Sequence, residues 1–154
     1  MGRCPMIIRN IYIEQYRWNV HCYFAVTDYY TEEILSVLDS LGCSDPVYDR
    51  VAVKMELNEL NTGFTYSNKI SHETLMVIGL ASSNEEYINS ISHELRHLCD
   101  DIASAVGIPS SGEEIAYLTG DIASQVADVI EVLVCDCFSC LEKRYKKIRP
   151  SWKR

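Results

Sequence analysis

Residues Ser83 to Gly107 read as one uninterrupted amphipathic helix, and the rest of the chain has to pack around it. Ser83, with Glu86 three residues later, forms a capping box at its start. Tyr87, Ile88, Ile91, Leu95, Leu98, Ile102 and Val106 recur along one face at helical spacing. Gly107 offers a left-handed stop, and Pro109 prevents the helix from resuming.

The segments on either side supply a sheet and further helices. Met6 to Ile13 alternates and is rich in Ile and Tyr, which predicts a strand. Arg17 to Thr27 predicts a second, and the short gap between them predicts an antiparallel hairpin. Thr31 to Leu41 has the spacing of a helix, with Thr31 as N-cap and Gly42 as stop. Pro46 to about Leu60 is a weaker helical segment, since Val51-Ala52-Val53 could also begin a strand. Asn61 to Asn68 is rich in turn formers and reads as a turn. Glu73 to Ala81 reads as a strand. A last helix starts near Ser111 and runs through Ile115, Leu118, Ile122, Val126, Val129 and Val132 toward Cys140. The expected fold is α+β, a small, mostly antiparallel sheet with helices on one face. Residues 1–140 read as a single domain and residues 141–154 as a basic C-terminal tail.

Composition narrows the class of protein. With 47% hydrophobic and 23% charged residues, the chain has enough apolar side chains for a core. No apolar run is long enough to cross a bilayer, and the start lacks the features of a signal peptide, so the expectation is a cytoplasmic protein with no membrane partner. The seven cysteines are an odd set, which argues against a secreted disulfide framework. Cys135, Cys137 and Cys140 crowd together but lack a partner pair at zinc-ribbon spacing, and they read as reduced thiols. The net charge is −8, yet the last 14 residues carry seven Lys/Arg and one acid. The body is therefore strongly acidic, which argues against nucleic acid as the main partner. The oligomeric state is not legible.

Chemistry concentrates in His93-Glu94-Leu95-Arg96-His97. Histidines four apart on a helix stand on one face, one turn apart, where their imidazoles can converge on a metal ion. Zinc takes such nitrogen ligands in a tetrahedral shell. Glu94, next to His93, is placed to act as general base toward a water that the metal activates. The expected cofactor is Zn2+, with His93 and His97 as metal ligands and Glu94 as the catalytic residue.

A catalytic zinc needs a third protein ligand and an open position. A histidine six residues after His97 would be at position 103, which is Ala103. Glu113 and Glu114, at the start of the next helix, remain. They point about 100° apart, so only one can face the metal. Glu113 is preferred, because it shares a face with Ala116, Tyr117 and Gly120, where small residues would let two helices approach. Glu114 is then an exposed neighbour or a supporting group. Tyr117, Tyr66 and His72 are candidate oxyanion partners outside the catalytic set. Asp101, Asp121 and Asp128 could orient a histidine.

On these residues the chain resembles the zincin metallopeptidases whose third ligand is a glutamate, the gluzincin-like group. More narrowly it is similar to small peptidases encoded by phages and prophages of Bacteroidetes. The resemblance rests on the segments Asn61–Asn68, Ile91–Leu98 and Glu113–Ile122. The glutamate followed four residues later by an aromatic is similar to the pattern of ImmA/IrrE-type peptidases, which supports Glu113. The resemblance implies a zincin-like fold and peptide-bond hydrolysis of a peptide or protein substrate lying along an edge strand, for which Thr74 to Leu80 is the expected strand. The alternative is a non-catalytic binding or structural protein of a phage or mobile element that keeps the fold and the zinc.

Overall fold

Cys22 to Val26 and Leu75 to Ile78 are apolar at odd and even positions alike, so strands built from them have two faces to bury. The structure is a computed structural model that describes residues 6–134 of the 154-residue chain, and in it both segments are interior strands. The sheet has four strands: β1 (Ile7–Ile13), β2 (Trp18–Val26), β3 (Gly63–Asn68) and β4 (Glu73–Gly79). Their order is β1-β2-β4-β3. β1 pairs with β2 and β3 with β4 antiparallel, while β2 and β4 run parallel. The sheet is thus mostly antiparallel, within an α+β fold.

Among the described residues five α-helices pack on it: α1 (Thr31–Ser40), α2 (Asp45–Glu56), α3 (Asn84–Val106), α4 (Glu113–Gln125) and α5 (Ala127–Val134). They do not lie on one face, as expected from the sequence. Ile34 and Leu38 of α1 and Met55 of α2 pack with Leu75 and Val77 in one cluster. Ile91, Leu95, Leu98 and Ile102 of α3, with residues of α4 and α5, pack with Val20, Phe24, Met76 and Ile78 in the other. The reason is the double-sided apolar character of β2 and β4, which one layer of helices would leave half exposed.

The connection through α1 and α2 carries the chain from β2 to the far edge of the sheet. There β3 forms, and a hairpin returns the chain as β4 beside β2. The segment expected to be a turn, Asn61–Asn68, is therefore mostly strand. Asn68 shapes the hairpin instead, its Oδ1 accepting from the backbone N–H of Ile70 at 3.0 Å and of Ser71 at 3.1 Å. At the other end of β3, Gly63 has φ +135°, and a Cβ there would stand 1.8 Å from the Val77 carbonyl oxygen. Only glycine fits that approach.

The helix boundaries follow local chemistry. Ser83 Oγ accepts from Glu86 N–H at 3.2 Å, and Gly107 closes α3 at φ 77°. Thr31 does not cap α1 as expected. It is the first helical residue, and its hydroxyl donates to the Asp28 carbonyl. The last helix is interrupted at Val126, so α4 and α5 are separate. Residues 135–140 of the expected extension, with the three clustered cysteines, and the basic tail lie outside the described residues. No helix among the described residues is long and apolar enough to cross a membrane.

A buried polar chain ties three strands together. The Trp18 indole N–H donates to Thr74 Oγ1 at 2.8 Å, and Thr74 Oγ1 lies 2.8 Å from Ser67 Oγ. Trp18 and Thr74 are both fully buried. Thr74→Val keeps the shape but strands the indole donor. It should lower unfolding free energy by about 1–3 kcal/mol, read as a lower urea midpoint at unchanged slope.

Candidate active site

The motif helix, α3, crosses the sheet over β4 and β3. Its buried stripe runs through Tyr87, Ser90, Ile91, Glu94, Leu95, Leu98, Cys99, Ile102 and Ala103. Glu94 therefore sits on the core side of the helix, and its residue is only 2% exposed. His93 and His97 fall on the neighbouring, exposed side. One turn of helix brings their rings to a centroid separation of 4.8 Å, with Nε2 atoms 3.1 Å apart.

The buried carboxylate finds its partners on the edge of the sheet. Thr65 of β3 donates its hydroxyl to Glu94 Oε2 at 2.7 Å. Thr62, in the turn before β3, donates to Oε1 at 3.1 Å. A carboxylate has about four lone-pair positions, so two stay available. Neither threonine was singled out from the sequence. The available signal was Thr65 itself, a polar residue between Phe64 and Tyr66 in an alternating run.

Glu94, His93 and His97 line one cleft of about 380 Å³, together with Thr62, Thr65, Lys54 and Asp101. The cleft opens along β3, which ends the sheet on this side. The strand expected to receive a peptide, Thr74 to Leu80, is not available for this. It forms β4, paired with β2 on one side and β3 on the other. The sheet edge beside the histidines is β3.

The donor chemistry of the pair suits zinc. Two nitrogens each about 2.0–2.1 Å from a tetrahedral ion lie roughly 3.3 Å apart, near the observed separation. Among the described residues, however, no group of three or more His, Cys, Asp or Glu side chains is placed to hold a metal. Glu113 is on the exposed side of α4 and is not gathered with the histidines. The packing face of α4 is Ile115, Leu118 and Ile122. Ala116, Tyr117 and Gly120, expected to allow close helix contact, are exposed, Tyr117 at 72%. Glu114 has another partner. It accepts from the Tyr16 hydroxyl at 2.8 Å, and burial followed by this carboxylate pushes the Tyr16 pKa up to about 12.

The remaining candidates are dispersed. Tyr117, Tyr66 and His72 do not line the cleft. His72 stacks on Trp18 with ring centroids 4.8 Å apart. Tyr66 faces the α1–α2 cluster, where burial raises its pKa. Asp101 lines the cleft but pairs with Lys69 at 4.0 Å. Asp128 pairs with Arg9. Asp121 is exposed on α4 and does not line the cleft. Burial also raises the pKa of the Cys22 and Cys99 thiols, to about 12 for Cys22, so neither is a ready nucleophile. Comparison with protein-family models, curated proteins and solved structures returns no match.

The ligand set can be read out by zinc titration of the full chain. Wild type should bind one zinc, and His93→Ala or His97→Ala should weaken binding by more than about 100-fold, beyond the loss of a supporting residue. Glu113→Gln and Glu114→Gln, compared in the same titration, assign the third ligand. An unchanged affinity in Glu113→Gln removes it from the set.

Proposed function

We propose that this chain is a zinc-dependent metallopeptidase. The reading is carried by one observation: a buried glutamate, held by two threonine hydroxyls, shares a cleft with two converging imidazoles at an open strand edge. His93 and His97 would hold the metal, and Glu113 is the proposed third ligand from the sequence. When bound, zinc supplies Lewis acidity toward water and toward a carbonyl oxygen.

The chain's own groups account for the rest. Among the described residues no strand pairs with the outer edge of β3, so its backbone can offer N–H and C=O groups to an extended peptide, which would orient a peptide bond over the cleft. Hydrolysis adds the hydroxyl of water to the carbonyl carbon and breaks the C–N bond. Glu94 takes the proton of that water and returns it to the departing amine nitrogen. Thr62 and Thr65 hold the Glu94 carboxylate in one orientation, so little rearrangement is needed as the proton moves. Leu95 and Leu98, buried beneath the motif, keep its helix seated on the sheet.

Glu94→Gln tests this reading. The amide is nearly isosteric and can still meet both threonine hydroxyls, so the fold should persist by circular dichroism. Hydrolysis of a broad peptide library by the zinc-loaded protein should fall by about 10²–10⁴-fold. Equal activity in the variant, or no cleavage of any peptide by wild type, overturns the peptidase reading. Bound zinc without turnover, with stability lost on chelation, would instead favour the non-catalytic binding or structural protein.

A further inference from the structure

A second cleft of about 290 Å³ adjoins the first on the α2 side of β3. The two share Lys54, Phe64 and Thr65 in their walls. The second is lined on one side by Val47, Arg50, Val51 and Lys54 of α2, and by Phe64 and Tyr66 on the other. Its charged residues are Arg50 and Lys54, one turn apart on the same helix.

They stand in a strongly acidic setting. Residues 6–134 contain six Lys/Arg against 20 Asp/Glu. With acids so abundant, Arg9, Lys69 and Arg96 each pair with an aspartate. Arg17, Arg50 and Lys54 make no ion pair among the described residues, and of these three Arg50 and Lys54 line a cleft together. Two like charges one turn apart repel each other slightly, which an anion between them would reverse. In a strongly acidic body they also form a local positive field beside the candidate active site.

A peptide added to the free edge of β3 would send alternate side chains to opposite faces of the sheet. One set would project toward α3 and the motif. The other would lie over Phe64 and Tyr66, with its ends beside Arg50 and Lys54. We propose that the preferred substrates are extended peptides carrying an Asp or Glu side chain near the scissile bond, seated between Arg50 and Lys54. The aromatic floor takes the methylene part of that side chain, and the two cations take the carboxylate. This inference rests on the peptidase reading, whose substrate class it names.

The test measures binding apart from turnover. Fluorescent alanine-rich peptides with one Glu, Gln or Lys at matched positions are titrated by anisotropy into zinc-loaded, full-length Glu94→Gln protein. The Glu peptide should bind at least about tenfold more tightly than its Gln counterpart, and the Lys peptide most weakly. Arg50→Gln/Lys54→Gln should abolish the preference, and Arg50→Glu/Lys54→Glu should reverse it. Both residues are exposed, so the variants should keep the wild-type circular dichroism. Equal binding of the three peptides, or a preference that survives both double variants, overturns the inference. So does equally tight binding of a single-stranded oligonucleotide, which would mark a general anion site. A Glu preference in binding without hydrolysis by wild type would sink the peptidase reading and leave the acidic-peptide site standing. Hydrolysis that ignores the acid would do the opposite.

Discussion

A carboxylate almost sealed from water needs donors within the protein, and Glu94 takes them from Thr62 and Thr65. That requirement couples the motif helix to the edge strand. It sets how α3 rotates about its axis, because Glu94 must face β3 for its oxygens to be satisfied. It sets where the histidines emerge, because they stand one and three positions away on the same helix. It also sets where β3 must run, and Gly63, whose backbone passes against Val77, allows the strand to start there. The cleft between helix and strand follows from meeting one buried charge.

Much of this was legible in the sequence, for reasons specific to each element. The long motif helix announces itself through Ser83, Glu86, Gly107 and Pro109, all local signals that tertiary packing does not override. The convergence of His93 and His97 follows from helical geometry alone. β1 is visible through its alternation, and β2 and β4 because burial on both faces demands strongly apolar runs. β3 reads as a turn because its Gly, Thr, Ser and Asn content resembles one. As an edge strand it is only half-buried along its whole length, so it carries no strong apolar signature. The alternation of Phe64 and Tyr66 with Thr65 and Ser67 was the weaker but correct signal.

The misplaced open edge traces to the same cause. Once Asn61–Asn68 is taken as a turn, β4 becomes the nearest candidate for the open edge, and the threonines lose their role. The position of Glu113 needed the rotation of α4 about its axis. Two apolar stripes compete in that helix, and the larger one, Ile115, Leu118 and Ile122, wins the core. The small-residue face of Ala116 and Gly120 is left outward. The two helical layers are encoded in the apolar parity of β2 and β4, which demands cover on both faces but only for strands in the interior of the sheet.

The edge of β3, unpaired with any strand among the described residues, has a further consequence for the molecule in concentrated solution. A row of unpaired backbone groups receives the strand of another copy as readily as it receives a peptide. Natural proteins limit such self-association by keeping open strands short and placing charge beside them. β3 has six residues, and Lys54 and Lys69 flank it. Lys54 would thus have two duties, drawing in an anionic chain and keeping sister molecules from zipping together along the same edge.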